Sequence, residues 1–244
     1  MQILSGSILS NALGLVLLAL ILREARKENV PIKTLLLLVI TGALIMLPVI
    51  ALQTAAGYAG EIPLIKNHPL LQEIVMTAIR LAFIEELCKF MGTKIVTWKG
   101  AYFTDPCQGP LFPAIVGLSF GILESALYMA LSRQQFRGQF WLIVLLRAFV
   151  GAPAHGAYGV IMGIFYGRAR DARQQNDGPA CRRYLSLAVL LPSCIHGVYN
   201  WLSTSRIIKI GDTLIVTGLI LLADILIILQ AYRILYRSRK TAKL

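Results

Sequence analysis

Two long apolar runs, "ILSNALGLVLLALIL" and "TLLLLVITGALIMLPVIAL", constrain this chain more than any other feature. A helix of ~20 mostly apolar residues crosses the hydrocarbon of a bilayer, and a helix satisfies its own backbone there. Apolar segments of this kind lie near 5–22, 34–56, 70–98, 111–131, 140–167, 183–203 and 213–236. Charged or turn-forming clusters such as "REARKENVPIK" and "GRARDARQQNDGPACRR" separate them. The pattern predicts an all-α membrane protein, a polytopic bundle of about seven transmembrane helices. The first run begins almost at Met1 without a basic leader or a small-residue cleavage site, so it reads as a retained helix. No block is long and polar enough for a separate soluble domain, and residues 1–244 read as one polytopic unit.

Composition matters chiefly through where the charge sits. At 57% hydrophobic and 15% charged, the chain is not an ordinary soluble domain. A formal net charge of +12 could elsewhere signal a nucleic-acid partner. Here alternate loops and the C-terminal tail hold 14 Lys and Arg, against 5 in the remaining loops and the N-terminus. Basic residues concentrate on the cytoplasmic side of membrane proteins. The asymmetry therefore predicts an N-terminus outside, "RSRKTAKL" in the cytoplasm, an odd number of spans and no nucleic acid. No internal repeat is visible, which weighs against repeat-built transporters. Cys88, Cys107, Cys181 and Cys194 form no CxxC pair and read as reduced thiols.

Against this background "RLAFIEELCKF" is anomalous, because Arg80, Glu85, Glu86 and Lys89 fall inside an apolar segment. Glu124, His155 and His196 fall inside three others. Ionisable groups within a membrane face the bundle interior and mark functional sites. Neighbouring residues support that orientation. Gly151, His155, Gly159, Gly163 and Gly167 recur every fourth residue, Gly117 and Gly121 share a face with Glu124, and Ala78 and Ala82 precede Glu86 by whole turns. Such stripes of small residues are where membrane helices approach closely. Residues four apart are neighbours, so Lys89 can reach Glu85 and Asn200 lies beside His196. Arg80, Arg147 and Asp224 look isolated and read as structural, and His68 reads as a solvated loop residue.

Three carboxylates facing one Lys leave uncompensated negative charge in a low dielectric. A divalent cation plus Lys89 would balance them. Carboxylates with imidazoles suit zinc, whose catalytic sites keep one position for water, and a remaining Glu could take a proton from that water. Without a metal the carboxylates should hold protons instead, the state a proton-coupled transporter needs.

Four ordered blocks resemble the PrsW-type intramembrane proteases, distantly related to the CAAX-prenyl endopeptidases. These are "FIEELCKF" with an EExxK pattern, "FTDPCQGPLFPAIVGLSFGILESALY" with Phe120 and Glu124 as FxxxE, "RAFVGAPAHGAYGVIMGIFYGRAR" with His155, and "LLPSCIHGVYNWL" with His196 and Asn200. The resemblance implies peptide-bond hydrolysis in the membrane, a catalytic core at about 70–203 and a membrane-anchored protein substrate. Processing of anti-sigma factors is the role associated with the family's namesake. It also implies a bacterial or archaeal cell membrane. Two positions depart from the family pattern, Gln108-Gly109 for Asp-Gly and Glu124-Ser125 for Glu-Asn. The expected mechanism is that of a metalloprotease, with zinc held by Glu86, Glu124, His155 and His196. Glu85 or Glu86 activates the water, and Asn200 stabilises the oxyanion. Of the glutamate pair, Glu86 is expected nearer the metal and Glu85 paired with Lys89. A metal-independent glutamate protease on the same fold is the alternative, and a proton-coupled transporter is the other.

Overall fold

The computed structural model describes residues 2–132, 140–204, 222, 225–233 and 235. Helix α1 (Gln2–Lys27) is apolar for most of its length and ends on Arg26 and Lys27, which suit the negative end of the helix dipole. The chain reverses through Asn29, whose φ of 58° suits an Asn in a tight turn. The second apolar segment is interrupted into α2 (Ile32–Leu44) and α3 (Met46–Gly57) at Ile45. Pro48 explains the break, since it lacks the N–H that would bond the Leu44 carbonyl. A turn at Tyr58–Glu61 and a short helix α4 (Pro63–Lys66) lead to α5 (Pro69–Ile74), where proline at the first helical position needs no partner.

From α5 the chain continues through a π-helical stretch, Val75–Phe83, into α6 (Ile84–Thr97), which carries Glu85, Glu86 and Lys89. Helix α7 (Leu111–Ser132) carries Glu124. Helix α8 (Phe140–Leu146) passes through a second π-helical stretch, Arg147–Gly151, into α9 (Ala152–Gln174). Pro153 lies at the start of α9 and cannot donate to the preceding turn, and the ladder widens there. Helix α10 (Gly178–Thr204) contains Pro192, one turn before His196.

Among the described residues five helical stretches are long and apolar enough to cross a membrane: Leu4–Lys27, Ile32–Glu61, Pro106–Leu131, Phe140–Gln174 and Gly178–Thr204. The stretch through α5 and α6 is as continuous but too charged to join them. Of the expected segment 213–236, residues 225–233 are helical, with Ala231 and Ile228 buried and the Tyr232 hydroxyl donating to the Pro153 carbonyl at 3.4 Å. Asp224 lies outside the described residues, as do 133–139 of the loop after α7.

Helix α7 is the centre of the bundle, packed against α1, α2, α6 and α9. Leu111, Phe112, Ile115 and Leu118 on it are fully buried, in one apolar cluster with Tyr158, Val160 and Met162 of α9. The α7–α9 approach is close enough that a Cβ at Gly121 would lie 2.7 Å from both Ala152 Cα and His155 Cδ2. The small-residue faces expected from sequence are therefore the faces that meet, and they carry His155 and Glu124 inward. On the outside, Leu47, Ile95 and Leu131 are 68%, 79% and 80% exposed, an apolar surface suited to lipid. The departure at Gln108 has a structural role: Oε1 accepts from the Thr104 and Asp105 backbone N–H groups, and Nε2 donates to the Glu28 carbonyl at 3.1 Å. All four cysteines are free.

Candidate active site

Glu85 and Glu86 lie where the π-helical stretch passes into α6, within one continuous helix. One turn on, the ammonium of Lys89 lies 2.7 Å from Glu86 Oε1 and 3.4 Å from Glu85 Oε2. Sequence spacing pairs Lys89 with Glu85, and the structure has that contact together with a shorter one to Glu86. All three are buried, Glu86 completely. The Lys89 ammonium also lies 2.9 Å from His155 Nδ1 and 4.3 Å from the centre of the Phe120 ring. Phe120 sits one turn from Glu124 on α7 and meets the His155 ring edge-on, so both residues of the FxxxE pattern face His155.

His196 enters from α10. Its Nδ1 donates to Glu86 Oε1 at 3.0 Å, and Tyr158 stacks on its ring at 4.9 Å between centroids. Donor atoms of Glu85, Glu86, His155 and His196 all lie within 4.8 Å of one another, and all four residues are buried. Glu124 stands apart from this group. Its Oε2 accepts from His155 Nε2 at 3.1 Å and from Arg147 Nη2. Sequence reading made Glu124 a ligand beside the two histidines, whereas the structure puts it on the other side of the His155 ring.

The expectation that Arg147 is isolated is corrected. Besides Glu124, it donates through Nε to Ser125 Oγ at 3.2 Å, so the serine that departs from the family pattern is a hydrogen-bond acceptor here. This guanidinium also changes the charge balance. Glu85, Glu86 and Glu124 now face two cations, Lys89 and Arg147, which leaves one negative charge to compensate. Arg80 is structural as expected, donating to the Gln53 carbonyl at 2.7 Å. Gln53 itself was missed: its Nε2 donates to Glu85 Oε1 at 3.1 Å. A lone Gln in the apolar run "LPVIALQTAAG" was the available signal.

A cavity of about 120 Å³ opens beside these groups. Glu124, Arg147, His155, Tyr158, His196 and Asn200 contribute to its wall. Glu85 and Glu86 are not on that wall; they meet it through His155 and His196. His68 is exposed, as expected.

The donor set fits a small divalent cation. Two carboxylates and two imidazoles converge, and Glu86 Oε2 is buried without a hydrogen-bond partner among the described residues. An unpaired buried carboxylate oxygen is costly, and a cation would relieve it. In the structure, the ammonium of Lys89 is the cation held by three of these side chains.

Comparison with known proteins places the chain in a family. The PrsW family, described as intramembrane metalloproteases, matches residues 30–229. A protein named Protease PrsW from Geobacillus kaustophilus is 27% identical over 79% of this chain and 77% of its own length. The Protease PrsW of Bacillus subtilis is 26% identical over 79% of each chain, and that of Halalkalibacterium halodurans 28% over 65% of each. No solved structure matches the chain.

Proposed function

Because this chain belongs to the PrsW family of intramembrane proteases, and so is an integral protein of a bacterial cell membrane with protein as its substrate class, we propose that it cleaves a peptide bond of a membrane-anchored protein at the site described above. The observation that carries the reading is the convergence of Glu85, Glu86, His155 and His196 from three helices within 4.8 Å.

In this reading three of Glu85, Glu86, His155 and His196 would hold zinc and leave a position for water, with Glu124 supporting His155 rather than binding. Zinc bound there would supply a Lewis acid and an acidified water. The chain's own groups do the rest. The cavity admits water and the scissile peptide as far as the two histidines. The carboxylate of the Glu85–Glu86 pair that does not bind would take the proton from the attacking water as it passes between the histidines, with Glu85 oriented by Gln53. Asn200, on the cavity wall one turn from His196, donates to the carbonyl oxygen as charge develops on it. Tyr158 holds the His196 ring by stacking.

One observation favours a metal-independent variant of the same reaction. The Lys89 ammonium already bridges Glu85, Glu86 and His155, so the carboxylates have a resident cation. Metal analysis of the purified protein, joined to cleavage of a membrane-anchored reporter with and without chelator, separates the two. Stoichiometric zinc that is lost in Glu86→Gln and His196→Ala, with chelator-sensitive cleavage, supports the zinc form. Full cleavage by metal-free protein selects the Lys89 form. In either, Glu86→Gln should lose about 10²–10⁴-fold in rate. Cleavage retained in that variant overturns the site assignment.

A further inference from the structure

His155 is engaged at both ring nitrogens, and its two partners together decide which nitrogen carries the proton. Nδ1 faces the Lys89 ammonium at 2.9 Å. An ammonium can only donate, so Nδ1 accepts. Nε2 therefore carries the hydrogen and donates to Glu124 Oε2 at 3.1 Å. The Glu124 side chain is 30% exposed on the cavity wall and would have room to turn away. Arg147 prevents this. Its Nη2 donates to the same Oε2, its Nε donates to Ser125 Oγ one residue along α7, and its guanidinium lies 4.7 Å over the Tyr128 ring one further turn along.

We propose that Arg147 is a positioning residue: it pins the Glu124 carboxylate against His155 Nε2, which holds the imidazole in its Nε2–H form with the Nδ1 lone pair aimed into the Glu85–Glu86–Lys89 group. The π-helical stretch Arg147–Gly151 directly precedes α9, so the same element that places the guanidinium leads into the helix bearing His155. Carboxylate partners of this kind set the orientation and basicity of a histidine, and losing one typically costs 10–100-fold in metal affinity or activity. The consequence for catalysis rests on the proteolytic reading; the arrangement itself does not.

The chain has 3 histidines, so the imidazoles can be resolved in full-length, metal-free protein in detergent micelles labelled with 15N-histidine. His155→Gln and His196→Gln spectra assign the signals. The wild-type His155 ring should be protonated at Nε2 and not at Nδ1. Arg147→Met should free Glu124 and let the His155 ring turn away from Lys89, giving a mixture of both forms; Arg147→Lys should restore part of the single form, and Ser125→Ala should shift it in the same direction as Arg147→Met but less. A wild-type ring protonated at Nδ1 overturns the proposal, as does an Arg147→Met spectrum unchanged at His155. If Arg147→Met fails to fold, an unchanged Ser125→Ala spectrum overturns it equally. Because the spectra are recorded without metal, failure to bind zinc would sink the zinc reading and leave this one intact.

Discussion

At the scale of single residues, the site is built by groups that are costly alone and tolerable together. Lys89 shows this most clearly: it is buried between two carboxylates, an imidazole nitrogen and an aromatic face. Removing one member of a buried ion pair leaves the other uncompensated, at a cost of about 3–5 kcal/mol. Lys89→Met should therefore lower thermal stability in detergent by about that amount. Adding Glu86→Gln to Lys89→Met should recover part of the loss, because the stranded charge is gone. Equal stability of the single and double variants would show that the pair is not coupled. Glu85, Glu86, His155 and His196 were legible in the sequence because charge within an apolar run requires a partner. Arg147 and Gln53 were not, since their partners lie on other helices and one sequence contains no record of which helices meet. The same holds for the surroundings of Glu124, expected as a ligand. Spacing located its face correctly but could not reveal the guanidinium already bound there.

At the scale of helices, small residues and prolines decide how near the functional groups come. Gly121 faces Ala152 and His155 across the α7–α9 contact with no room for a side chain. Gly121→Val should push the helices apart or force off-rotamer side chains, costing about 1–3 kcal/mol by thermal unfolding in detergent. It should also reduce cleavage more than Lys94→Ala, a change on α6 beside Phe90 and Trp98. A Gly121→Val protein of unaltered stability would contradict the packing. These contacts were visible as four-residue stripes, since period and residue size are local properties. The two π-helical stretches were not visible. Pro153 announces a missing hydrogen bond, but a kink, a break and a widened turn all satisfy that requirement. Pro48 gave a break at Ile45 and Pro153 a widened turn, and tertiary packing made the difference.

At the scale of the whole molecule, the bilayer is the solvent that made most of the fold readable and one helix ambiguous. Hydropathy identifies a span by summing transfer costs along a segment, and five stretches among the described residues pass that test. The stretch from Pro69 to Thr97 does not, because Arg80, Glu85, Glu86, Lys89 and Lys94 all count against it. Each charge near the centre of an isolated helix costs about 2.5–3.5 kcal/mol on insertion scales. In the folded chain those costs are met by groups on other helices. Gln53 of α3, His155 of α9 and His196 of α10 all contact the α6 cluster directly. Insertion of this helix should therefore depend on the rest of the bundle. Residues 69–97 placed alone in a host protein should fail to span a membrane, as read by glycosylation of engineered flanking sites. Replacing Glu85, Glu86 and Lys89 together by Leu should restore spanning of the isolated segment. The same triple replacement in the full chain should leave all helices inserted while abolishing cleavage. Efficient spanning by the unmodified isolated segment would mean that its charges are accommodated without the bundle, and the burial of Glu86 and Lys89 would then need another cause.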